Sequence, residues 1–178
     1  DECRKNQKPH RKLIEKGLEY IIPYDAGTRS IIDSKKIEKE WQVIDIWRDA
    51  RNRGIKSRFK DTNIILQGGV DDVWLNTKTK KLIVVDYKSQ ASNDEVSQET
   101  YFQKWHHEGY KTQLNFYAYI MKNMDLEYEI SADSYLYVVN GLDVDEGFNG
   151  EIKFSETLIK HKIETKYLDN EIQNMINT

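Results

Sequence analysis

Two apolar runs separated by a polar spacer constrain this chain more than any other feature. Ile64 to Leu75 and Leu82 to Lys88 each read as β-strand. Asn76-Thr77-Lys78-Thr79-Lys80-Lys81 between them is hydrophilic, as a hairpin loop should be. Pairing Leu75 with Leu82 fixes the rest of an antiparallel ladder, because partner numbers then share one sum. Val73 faces Val84, and Asp71 faces Asp86. Directly opposed Cβ atoms lie about 4.5–5.5 Å apart, so both carboxylates can reach one ion. Period-2 alternation puts Lys88 on the face of Asp86 and sends Tyr87 to the other. Gly69 then lies opposite Lys88, where a missing side chain would leave room for a substrate backbone. A slip of one residue would turn half the cluster away.

Opposed like charges destabilise a ladder unless a counter-ion joins them, and a buried, unpaired carboxylate is costly. Both acids sit within or just after apolar runs. Two neighbouring acids can hold a hard divalent cation, and a lysine two residues past the second can steady developing negative charge. The combination points to metal-assisted hydrolysis of a phosphodiester. The plainer reading of each Asp is a solvated residue near a strand end, and D-x-K by itself is a common string.

Gly109 to Met121 reads as a helix, with Tyr110, Leu114, Tyr117, Ala118 and Met121 forming an apolar stripe. Gln113 borders that stripe four residues before Tyr117, so the two side chains sit one above the other. An ordinary amphipathic helix with a border glutamine would look the same.

The rest of the chain supplies the frame. Residues 1–20 form a basic, partly helical entry that Ile21-Ile22-Pro23 breaks. Ser34 to Arg51 carries helix signals, with Ser34 as candidate cap and Glu38 in the first turns. Ser89 to Glu108 is a long polar and acidic segment directly after the lysine, a candidate substrate-gating flap. The exposed pair His106 and His107 near its end could ligate a metal, although incidental surface histidines are commoner. Ser134 to Asn140 is a further strand, another begins at Gly150 to Phe154, and Glu164 to Asn177 closes the chain as a helix. That helix should pack through Tyr167, Leu168, Ile172, Met175 and Ile176. Strand, strand, helix, strand, strand, helix fits a mixed sheet flanked by helices.

At 178 residues a single domain is expected. No apolar run approaches the ~20 residues that span a bilayer, and no secretory signal is visible. The lone cysteine, Cys3, fits a reducing cytoplasm and gives no disulfide framework. The net charge of −3 counts mildly against nucleic acid as partner. A mean can hide local patches, however. Arg4, Lys5, Lys8, Arg11 and Lys12 make one basic cluster, and Arg48, Arg51, Arg53, Lys56, Arg58 and Lys60 another. The plainer reading of both is solvated surface. The 11 tyrosines could supply stacking surfaces for single strands.

Taken together, G-x-x-D, an apolar strand ending D-Y-K, and Q-x-x-x-Y on a helix resemble the PD-(D/E)XK nuclease superfamily. The likeness runs from about Lys8 to the C-terminus, and is nearest the RecB-type exonuclease and CRISPR spacer-acquisition nuclease branch, among its stand-alone bacterial members. The resemblance implies an α/β (α+β) fold with a restriction-endonuclease-like core, a central mixed β-sheet flanked by helices. It implies one nuclease domain over residues 1–178, lacking an N-terminal helix. By the same resemblance Asp71, Asp86 and the Tyr87 backbone carbonyl would bind Mg²⁺ or Mn²⁺. Lys88 would orient or deprotonate the attacking water, and Gln113 and Tyr117 would touch the lysine or the nucleic-acid backbone. The implied partner is DNA, single- or double-stranded, cleaved in a cytoplasmic setting with no membrane role. A catalytically weakened binding or interaction module on the same fold is the alternative. One cysteine excludes an iron–sulfur cluster. Val70 stands in place of the proline of the superfamily name. The further acid that the branch carries on an N-terminal helix has no obvious counterpart, although Glu15 or Glu19 could substitute.

Overall fold

The structure is a computed structural model that describes residues 11–24, 27–32, 38–142, 150 and 152–178. The basic residues Arg4, Lys5 and Lys8 and the candidate cap Ser34 lie outside them.

The hairpin forms in the expected register. β6 (Asp72–Asn76) pairs antiparallel with β7 (Lys81–Ala91), with Leu75 opposite Leu82, Val73 opposite Val84 and Asp72 opposite Val85. Asp71 lies one residue before the ladder begins. β7 is the spine of a six-stranded mixed sheet. Its second half runs parallel to β9 (Asp133–Leu142), and its first two residues pair with the short β8 (Glu129–Ile130). β10 (Lys153–Lys162) closes one edge beside β9, and β1 (Ile21–Pro23) lies at the other beside β6. Parallel neighbours require a crossover. The helix Glu108–Lys122 makes it, and the chain ends in a second helix, Leu168–Asn177.

Leu82-Ile83-Val84-Val85 is apolar without interruption because both faces of the sheet are covered. On one face Val73, Leu82, Val84, Leu136, Val138 and Ile159 pack with Leu114, Ala118 and Met121 of the crossover helix and with Leu168 and Ile172 of the last helix. On the other, Trp74, Ile83, Val85, Tyr135, Tyr137 and Leu158 meet Leu13 and Ile21. Each such side chain contributes roughly 1.5–3 kcal/mol by burial. Among the described residues no helix is long and apolar enough to cross a membrane.

Five expectations need correction. Ile64 to Leu75 is not one strand. β5 (Ile65–Gly68) leaves to pair with β4 (Ile55–Arg58) in a separate ribbon, and the chain turns through Gly69-Val70-Asp71 into β6. The glycines explain the break. A Cβ on Gly68 would lie 2.8 Å from Cε1 of Tyr117, and one on Gly69 would lie 2.6 Å from the Ala50 Cβ and 3.0 Å from the Arg48 carbonyl oxygen. Gly69 therefore accommodates neighbouring protein, not a substrate backbone.

Of the described residues between Ser34 and Arg51, only α1 (Val43–Arg48) is helical. Glu38–Gln42 is strand β3, whose backbone is satisfied by antiparallel pairing with β2 (Thr28–Ile32). The segment after the lysine is fastened down, with Ser89–Ala91 continuing β7. Asn140 Nδ2 donates to the Ser92 carbonyl (2.8 Å), Thr157 Oγ1 to that of Val96 (3.2 Å), and Gln98 bonds both ways with the Lys160 backbone. The last helix starts at Leu168, and Met175, 67% exposed, points away from the packed side. With α1 already assigned, the crossover helix is α2 and the last helix α3.

Candidate active site

The five side chains expected to matter come together above one face of the sheet. The turn after Gly69 carries Asp71 back over β7, where the Tyr87 backbone N–H donates to Asp71 Oδ2 at 2.8 Å. Asp86 on β7 is 2% exposed, and Lys88 Nζ lies 2.5 Å from its Oδ2. The contact is a close ion pair; no donor meets that buried oxygen in hydrogen-bonding geometry. Lys88 Nζ also donates to Gln113 Oε1 at 3.1 Å, and Gln113 Nε2 donates to the Tyr117 hydroxyl at 2.8 Å. The i, i+4 spacing on α2 is what aligns these two. A line of contacts thus runs from Asp86 through Lys88 and Gln113 to Tyr117, and Tyr117 rests against Gly68.

Burial pushes the Asp86 carboxyl up to about 6, against the attraction of Lys88 and with the help of the neighbouring Asp71 carboxylate. Two acids repelling each other in a desolvated spot are a site that favours a cation. The carboxylate oxygens of Asp71 and Asp86 are hard donors, suited to hard divalent cations rather than to soft metals. Among the described residues no cluster of three or more His, Cys, Asp or Glu is placed to hold an ion. Glu15 does not supply a third carboxylate. It pairs with Arg11 (3.2 Å) and Lys12 (3.0 Å), on a segment whose Leu13 and Leu18 pack on the opposite face of the sheet. Glu19, exposed on the same segment, is no better placed.

Three residues have a place at the site that the sequence reading did not give them. Tyr110 lies under the lysine, its ring centroid 4.6 Å from Nζ. Tyr101 is buried beside it, its hydroxyl pushed up to about 12 by burial, with Tyr110 and Asp86 adding. His107 is buried, not exposed, and stacks on Tyr101 (4.1 Å between centroids) and Tyr110 (5.2 Å). Its Nδ1 donates to the Tyr101 carbonyl at 2.6 Å, and burial lowers its pKa, so a neutral ring serves as a structural wedge. The signal for this wall was the i, i+3 spacing of His107 and Tyr110, which a sequence alone cannot tell from core packing.

Behind the site a second network fixes Asp71. Arg48, at the end of α1, donates through Nε to the Asp71 carbonyl at 2.6 Å and pairs through Nη2 with Asp72 Oδ1 at 3.5 Å. Asp72 is buried on the far face and accepts from the Tyr87 hydroxyl (2.5 Å) and Trp74 Nε1 (3.2 Å). Arg48 is therefore a bracket and not part of an open basic patch. Four of its five companions are also engaged: Arg53 with Asp49, Lys56 with the Asn52 carbonyl, Arg58 with that of Thr62, and Lys60 with Asp169, while Arg51 is exposed.

The sequence model of the PD-(D/E)XK nuclease superfamily matches residues 8–176. No curated protein and no solved structure matches the chain. With a match of that extent laid over a mixed sheet and a paired-acid site, the chain belongs to the PD-(D/E)XK nuclease superfamily.

Proposed function

We propose that this protein is a single-domain, divalent-metal-dependent nuclease that hydrolyses DNA phosphodiester bonds, of the RecB-type branch, working in a reducing cytoplasm. The observation that supports this most is the buried Asp86 facing Asp71, with Lys88 held between Asp86 and Gln113. Asp71, Asp86 and the Tyr87 backbone carbonyl would hold Mg²⁺ or Mn²⁺. When bound, such an ion polarises the phosphoryl group and acidifies the attacking water. Lys88 orients that water and offsets the charge that grows on the phosphorane-like transition state. Gln113 and the Tyr110 ring restrict the ammonium to one position, so little reorganisation is needed when charge develops. Gln113 and Tyr117 border the path of the DNA backbone. Arg48 holds the Asp71 backbone from behind.

The test is cleavage of labelled single- and double-stranded DNA in Mg²⁺, Mn²⁺ or EDTA, with Asp86→Ala beside the wild type. Cleavage that needs both the metal and Asp86 supports the reading; cleavage in EDTA, or equal cleavage by the variant, removes it. Preference for RNA in the same assay would make it an RNA-directed enzyme. One observation favours a second reading, a binding module with weakened catalysis: among the described residues only two carboxylates reach the site. Tight DNA binding with no metal-dependent cleavage would establish that alternative.

A further inference from the structure

Trp105 is 88% exposed, the most exposed large apolar side chain among the described residues. Tryptophan is costly to leave in water, and this ring belongs to neither face of the core. Its backbone is tied into a turn by hydrogen bonds. It sits on the short turn Trp105–His107 that leads into α2, closed by the His107 N–H on the Lys104 carbonyl (2.9 Å). Lys104 is held by Asp94 (2.9 Å), Gln103 by the Glu99 carbonyl (2.8 Å), and the buried His107 anchors the far end.

The ring also stands at the end of a row. Trp105 meets His106 edge-on at 5.6 Å, His106 meets His107 at 4.3 Å, His107 stacks on Tyr110 at 5.2 Å, and Tyr110 lies 4.6 Å below Lys88 Nζ. An aromatic track thus connects the exposed indole with the candidate reacting centre. The sequence neighbours Gln103, Lys104 and His106 are polar, with Lys104 paired to Asp94, so the ring is not part of an apolar patch of the kind that seats a protein partner. A flat, exposed π-face among polar neighbours suits the stacking of a nucleobase.

We propose that Trp105 is a stacking platform for an unpaired base of the substrate, and hence that the preferred substrate is single-stranded nucleic acid. This rests on the nuclease reading above. A base within a duplex is already stacked on both sides and has no free face to offer the indole.

The probe is oligo(dT), titrated in EDTA against wild type, Trp105→Ala and Trp105→Phe, with a blunt duplex of equal length alongside. Stacking of one base accounts for about tenfold in affinity. Trp105→Ala should weaken oligo(dT) binding by about that factor, with a smaller effect on the duplex. Trp105→Phe should recover most of the loss, and the melting temperature of both variants should match the wild type. Wild-type indole emission should change on binding by an amount missing from both variants. Equal affinity of Trp105→Ala and wild type, equal loss on single strand and duplex, or no binding of oligo(dT) by the wild type would each overturn the proposal. Because binding is read without metal, it decides the point even if cleavage assays reject the nuclease reading. Conversely, metal-dependent cleavage with unaltered binding by Trp105→Ala would leave that reading intact and remove only the platform.

Discussion

Replacing Asp86 by asparagine should stabilise the metal-free protein at neutral pH. The carboxyl is buried against Asp71, and its pKa rises from 3.8 to about 6. The native state therefore holds this proton more tightly than the unfolded chain does. Asp86 costs nothing below about pH 4. As pH climbs through 6 the native state loses the proton and takes up the full penalty, so stability falls over that window. At about 1.4 kcal/mol per pKa unit, a shift of about 2 units corresponds to about 3 kcal/mol, with the opposing attraction of Lys88 already included. Asparagine has the shape of the protonated acid and escapes the penalty. At this chain length that is a rise in melting temperature on the order of 5–10 °C. Calorimetry in EDTA at pH 7.5 and pH 4 measures it. The variant should melt above the wild type at the higher pH and together with it at the lower. Adding Mn²⁺ should raise the wild type and leave the variant unmoved. A variant no more stable than wild type at pH 7.5, or equally favoured at both pH values, would refute the reasoning.

Other substitutions probe the supports. Gly68→Ala places a methyl 2.8 Å from Tyr117 Cε1; it should cost about 1–3 kcal/mol in urea unfolding and lower kcat more than it changes KM, because Tyr117 backs Gln113. Arg48→Met removes the bond to the Asp71 carbonyl and the ion pair with buried Asp72; a loss of about 3 kcal/mol is expected in the same assay. Lys88→Met should reduce cleavage at least about a hundredfold while binding of DNA in EDTA stays within a few-fold of wild type.

How much of this was visible in the amino-acid order depends on the range of each interaction. The β6–β7 register was legible because a short polar loop and matched apolar pairs admit one alignment, and the i, i+4 spacing of Gln113 and Tyr117 is a local property of a helix. The break at Gly68-Gly69 was not, because its cause is the approach of Tyr117 and of Arg48–Ala50 from elsewhere in the chain. Glu38–Gln42 misled for the same reason: its charged residues suit a helix start, and pairing with Thr28–Ile32 overrides that preference. Arg48 reads as one member of a basic cluster and Asp72 carries no signal of its own, since nothing nearby in sequence reveals that α1 ends beneath the Asp71 turn. The Tyr101–His107–Tyr110 wall was hidden by a segment that looks like loop and is strapped to β9 and β10.

Electron paramagnetic resonance of Mn²⁺ at pH 7.5, titrated into wild type, Asp71→Asn and Asp86→Asn, with cleavage measured on the same samples, probes the paired acids most directly. Binding in the wild type that disappears in both variants along with cleavage is the predicted result. Mn²⁺ held equally well by all three proteins would contradict the account.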